Sequence, residues 1–149
     1  MKSLKSILAL LLIPLLVGAC DLLDQRTRTF DDDPKLEFKP LSQTVDEGGG
    51  TINVSIQLIG RQRDSNLEVN YVVADSSDAE QGVHFNLPST TATIPAGESS
   101  TEISVEVLDN NIDDGDTNYP LFLNLQDTQD VEAAENLKTF TLTIRGVDE

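Results

Sequence analysis

The chain's single cysteine, Cys20, follows Val17-Gly18-Ala19. Small residues let the chain lie extended in a peptidase groove, and a cysteine just after the cut supplies the thiol that takes diacylglycerol. Upstream, Lys2 and Lys5 precede an apolar run from Ile7 to Val17. That run is nearer the length of a signal h-region than the ~20 residues a membrane span needs. This lipobox predicts a signal peptide over residues 1–19, removed to leave a lipidated Cys20. Acyl chains on the glycerol, joined by an N-acyl chain, suffice for stable anchoring. A lone cysteine also excludes an intrachain disulfide.

The remaining side chains with chemical potential are carboxylates. The chain holds 26 acidic and 10 basic residues. The signal peptide carries two lysines and no acid, so the mature chain has a formal charge of 8 − 26 = −18. Such a chain repels nucleic acid and anionic membrane surfaces, which leaves multivalent cations as natural counter-partners. Asp109-x-Asn111-x-Asp113 begins like an EF-hand loop, but Gly115 comes one place late and Pro120 stands where the bidentate glutamate belongs. His84 is the only histidine, which excludes a multi-histidine zinc site and reads as an ordinary strand residue. Asp113 and Asp114 lie in a polar loop with no aromatic platform for a sugar. Gly48-Gly49-Gly50 precedes a strand in an acidic setting, so it is no phosphate cradle. With no nucleophile, base and orienter to assemble, the chain does not read as an enzyme.

The elements that must position these acids are strands. From Leu36 onward, short runs rich in Val, Ile, Thr, Phe and Leu alternate apolar and polar between turn residues. Leu36–Thr44 and Thr51–Ile59 flank Asp46–Gly50, whose glycines suit positive φ in a tight turn. Ile52, Val54, Ile56 and Leu58 share a face, as do Leu67, Val69, Tyr71 and Val73. Thr91–Ile94 and Thr101–Leu108 frame Pro95-Ala96-Gly97-Glu98, which implies a hairpin. Leu121, Leu123 and Leu125, then Phe140, Leu142 and Ile144, close the set, while 131–137 reads as a loop with one turn. About seven strands at this spacing predict an all-β, immunoglobulin-like antiparallel β-sandwich over residues 35–149. Its core is aliphatic, with Phe38, Tyr71, Phe85 and Phe122 as aromatic candidates. Residues 20–34, charged and aperiodic, read as the lipidated cysteine and a flexible tether.

Four stretches, in order, resemble the Calx-beta family of immunoglobulin-like domains. They are Thr44-Val45-Asp46-Glu47-Gly48-Gly49-Gly50-Thr51; the loop from Asp75 to Phe85; Ala92-Thr93-Ile94-Pro95-Ala96-Gly97-Glu98 with Ile103, Val105 and Val107; and Leu108-Asp109 through Tyr119-Pro120-Leu121-Phe122-Leu123. The resemblance implies calcium held by carboxylates gathered at one end of the sandwich, since hard Ca²⁺ takes 6–8 oxygen ligands. Carried over, the positions are Glu47, Asp75, Asp109, Asp114, Asp116 and Asp148. Departures dilute the set: Ser76 stands in strict register where an aspartate is usual, as does His84, while Asn110, Asn111 and Thr117 replace acids. Fewer charges lower the expected affinity toward a Kd of about 10⁻⁴–10⁻³ M.

The expectation is an exported, calcium-binding module with an interaction or structural role at the bacterial cell envelope. Its partners would be a membrane, through lipid on Cys20, and another envelope or surface protein, with no nucleic acid. Asp21 resembles a signal for inner-membrane retention whose rule varies between phyla; the outer membrane or cell surface is the location expected here. The alternative is a metal-free, protein-binding accessory subunit of an envelope complex.

Overall fold

The computed structural model describes residues 32–109 and 117–147. The signal peptide, Cys20, most of the tether and the acids Asp114, Asp116 and Asp148 lie outside the described residues.

Alternation decides the architecture, because each strand has one apolar face and needs another sheet to cover it. Ten strands form among the described residues: β1 Lys35–Lys39, β2 Ser42–Asp46, β3 Gly50–Ile59, β4 Leu67–Val73, β5 Phe85–Asn86, β6 Thr91–Ile94, β7 Ser100–Val107, β8 Asn118–Leu125, β9 Glu132–Ala133 and β10 Thr139–Arg145. They make two five-stranded sheets, β5-β7-β3-β1-β9 and β2-β10-β8-β4-β6. The predicted inward sets Ile52/Val54/Ile56/Leu58, Leu121/Leu123/Leu125 and Phe140/Leu142/Ile144 are all buried.

Three local expectations need correction. The run from Leu36 to Thr44 is not one strand. The chain leaves the first sheet after Lys39, through a cis Lys39–Pro40 bond, and joins the second as β2, parallel to β10. A proline cannot donate to a ladder, so a break there fits its chemistry. Likewise β6 and β7 do not form a hairpin: β6 pairs with β4 and β7 with β3, so Pro95–Glu98 carries the chain between sheets. Finally, Phe122 is only half-buried, on the outer face of β8. Phe140 takes the core position instead, tilted against Phe38 with ring centroids 5.9 Å apart. The 131–137 segment is a loop with one turn, as expected, although its Glu132–Ala133 pair adds to β1 as β9.

Candidate functional site

The ends of β2, β7 and β10 and the starts of β3 and β8 meet at one pole, which is where the sequence gathers its acids. The turn from β2 to β3 is held there by main-chain bonds to both sheets. Glu47 N donates to Arg145 O at 2.8 Å, and Gly48 N donates to Leu108 O at 3.0 Å. Gly48 adopts φ +67°, and a Cβ on it would lie 3.1 Å from Asp109 Cβ. The lack of a side chain at 48 is therefore what lets the Asp109 side chain pack against this turn, one residue from Glu47. Gly49 is needed for a different reason: a Cβ there would sit 2.4 Å from Val45 Cγ2 and 2.8 Å from Asp46 O.

Glu47 is 7% exposed, and its Oε1 accepts the Val147 N–H at 3.1 Å. Its neighbour Asp46 points the other way and takes Arg145 on a single oxygen, at 2.6 Å from Nη2 and 2.9 Å from Nε. Arg145 is thus occupied by Asp46, on the outside. Gly146 N, donating to Thr117 O at 3.0 Å, ties the chain after β10 to the start of β8.

The fourth wall is the loop after β4. It starts level with Phe122, whose carbonyl accepts from Ala74 N at 2.9 Å, and returns at His84, whose carbonyl accepts from Leu108 N at 3.0 Å. His84 is not a strand residue, as the sequence suggested, but a loop residue 8% exposed. Its Nδ1 accepts from Glu80 N at 2.9 Å, and its ring stacks on Tyr119 with centroids 4.0 Å apart. This pair joins the loop to β8, and no sequence signal pointed to it because 35 residues separate the partners (119 − 84).

Of the six proposed ligands, the structure brings Glu47 and Asp109 to one turn. Asp75 is exposed at the start of the β4–β5 loop. Among the described residues, no group of three or more His, Cys, Asp or Glu is close enough to hold a metal ion. Glu47 and Asp109 carry carboxylate oxygens, the hard donor type calcium takes, so they fit it in kind.

Two sheets packed face to face with loops gathered at one end define an immunoglobulin-like sandwich. The Calx-beta domain model matches residues 30–146, and the chain belongs to that family. No curated protein matches it. Among solved structures, the apo-form Calx CBD1 domain shares 21% identity, with 78% of this chain and 100% of that one covered and a TM-score of 0.67. The calcium binding domain CBD12 of CALX1.1 also shares 21% identity, over 77% of this chain and 47% of that one, TM-score 0.65. A putative carbohydrate binding protein from Bacteroides ovatus shares 15%, over 76% and 37%, TM-score 0.60. In the last two cases this chain spans less than half the other's length. At such identities the likeness is one of fold.

Proposed function

We propose that this domain binds calcium at the Glu47–Asp109 pole and serves as an interaction or spacer module of the cell envelope, held to a membrane by lipid on Cys20. The observation that carries the calcium reading is the bare Gly48, against which Asp109 packs beside the buried Glu47. Two carboxylates in one turn repel each other, and a divalent cation between loop ends relieves that repulsion. Glu47 and Asp109 would hold the ion, with Asp114, Asp116 and Asp148 supplying the remaining charge and Asp75 the outermost position. The fold shared with a calcium binding domain of CALX1.1 supports the reading.

The anchor reading rests on the lipobox and on Cys20 being the only cysteine. The chain enters the sandwich at Lys35, opposite Ile59 at one end of β3, while the acidic pole lies at the other end, beyond Gly50. Ten residues of strand separate those ends, about 30 Å at ~3.3 Å per residue. A domain tethered from its N-terminus would therefore present the acidic loops away from the membrane.

The test is thermal melting of the purified chain in millimolar calcium against chelator, with magnesium as a control. At one hundred times Kd, calcium should stabilise by about 2.7 kcal/mol. Asp109→Asn should remove most of that gain. An unchanged Tm in the parent protein would overturn the calcium reading and leave the metal-free one. For the anchor, mass spectrometry of the membrane fraction should find a diacylated Cys20; a soluble chain retaining Met1 would refute it.

A further inference from the structure

β7 is eight residues long, and its inner side pairs with β3 from Ser100 to Val107. Leu58 N donates to Ser99 O, which sets the odd-numbered residues of β7 toward β3. Main-chain direction alternates along a strand, so the N–H and C=O groups of Ser100, Glu102, Ser104 and Glu106 point away from it. On that outer side β5 pairs Asn86 with Glu106 and then stops. Continued in the same register, it would set Pro88 opposite Ser104, and proline has no N–H to give. Among the described residues, the outward main-chain groups of Ser100, Glu102 and Ser104 therefore have no strand partner.

A groove of about 270 Å³ runs along this open half, between residues 101–104 of β7 and 91–93 of β6 in the other sheet, with Tyr71 in its lining. Its β6 bank is closed by a side chain. Thr91 N donates to Ser89 Oγ at 3.0 Å, and Thr91 O accepts from the same hydroxyl at 2.8 Å. The Tyr71 hydroxyl donates to Ser89 O at 2.9 Å and holds that cap in place. The bank able to take a strand is β7.

Its charge has one sign. Residues 85–107 hold Glu98, Glu102 and Glu106 and no basic residue. Asn86 Nδ2 donates to Glu106 at 3.2 Å, whereas among the described residues no ion pair holds the exposed Glu102. Lys39 shares this face, but it pairs with Ser55 and Ser55 with Glu102. Two strand spacings, about 10 Å, exceed the ~8 Å Debye length.

We propose that residues 100–104 of β7 receive an extended cationic segment of another protein as an added antiparallel strand. Its residue opposite Glu102 is lysine or arginine, a direct cross-strand pair on the outer face. Its alternate side chains, opposite Thr101 and Ile103, turn into the groove and are small and β-branched to suit that width. Five residues give about 17 Å of edge before the incoming chain meets β5. The same charges disfavour a second copy: two chains of formal charge −16 each would bring their Glu102 carboxylates opposite or diagonal to one another, where like charges repel. The surface requires neither calcium nor the lipid.

Amide exchange on the full chain, with and without a capped peptide alternating lysine and valine at millimolar concentration, tests this. The outward amides of Glu102 and Ser104 should slow by about threefold or more, while those of Ile103 and Val105, bonded to β3, stay unchanged. Glu102→Lys, on the exposed face, should abolish the slowing at Ser104. Ser104→Pro removes an outward donor and no bond to β3, and it should weaken the slowing at Glu102. Unchanged exchange in the parent, full slowing retained in Glu102→Lys, or equal slowing by a peptide with glutamate in place of lysine would each overturn the proposal. So would protection that grows with protein concentration in the absence of peptide, since the edge would then belong to a second copy.

Discussion

Substitution of Gly48 by alanine should damage the proposed calcium site in a way that the same change at Gly50 does not. Both glycines have positive φ, +67° and +74°, so an alanine at either position carries the same left-handed strain of about 1–2 kcal/mol. They differ in their surroundings. A Cβ at 48 would meet Asp109 Cβ at 3.1 Å, Cγ at 3.3 Å and Oδ2 at 3.4 Å, whereas a Cβ at 50 meets nothing within 4 Å. The Asp109 side chain must therefore retreat by a few tenths of an ångström in Gly48→Ala and need not move in Gly50→Ala. In a domain of this size each kcal/mol shifts Tm by roughly 3–6 °C, so both variants should melt lower in chelator. The difference between them, with strain cancelled, isolates the Asp109 contact. If that contact places a ligand, a loss of about 1 kcal/mol of binding raises Kd about fivefold in Gly48→Ala, while Gly50→Ala keeps the parent value. Calorimetric or melting titrations with calcium read both. Identical calcium midpoints in the two variants would refute the role given to Asp109, however unstable the proteins were.

Phe140→Ala, which empties a fully buried site against Phe38, should cost about 3–5 kcal/mol by denaturant unfolding, and Phe122→Ala, on the outer face, should cost much less; the reverse order would contradict the face assignment. His84→Phe keeps a ring to stack on Tyr119 but leaves Glu80 N–H without its acceptor, so a loss of about 1 kcal/mol is expected, whereas a stability equal to the parent's would show that the bond is idle. Burial holds the Tyr71 phenol above its ordinary value of 10.0; because the unfolded chain then releases that proton first, stability should be flat below about pH 10 and fall as pH rises through the folded value. Tyr71→Phe, which also gives up the 2.9 Å bond to Ser89 O, should flatten that alkaline decline, and a decline that persists unchanged would assign it to other groups.

The sequence revealed faces more readily than partners. A two-residue period is local, so Ile52, Val54, Ile56 and Leu58 could be set inward from their own spacing, and they are buried. Which sheet a strand joins depends on long-range packing. Pro95-Ala96-Gly97-Glu98 has the chemistry of a turn whether it closes a hairpin or crosses between sheets, and it crosses. The misplacement of Phe122 has a plainer cause: Leu121, Leu123 and Leu125 already occupy the inward positions of β8, so period placed Phe122 outward and only the hydrophobicity of one residue argued otherwise. At the site, Glu47 and Asp109 were named together through the resemblance, and the Gly48 N to Leu108 O bond shows how residues 62 positions apart (109 − 47) reach one turn. His84 was read from its residue type alone, and its loop position follows from a hydrogen bond and a ring contact that leave no periodic trace.

The same topology that collects acids at one pole places the basic residues Lys35, Arg61 and Arg63 at the other. β2 and β3 meet at Asp46–Gly50, and β7 delivers Asp109 to the same end. β1 begins at the far end, with Lys35 opposite Ile59, and the β3–β4 loop that follows Ile59 carries Arg61 and Arg63 there. The separation matters electrostatically. With the Debye length near 8 Å at physiological salt, these cations are screened from carboxylates a full strand length away, and Arg145, at the acidic pole itself, is held by Asp46. The fold thus keeps the basic side chains of the far end out of reach of the acidic pole.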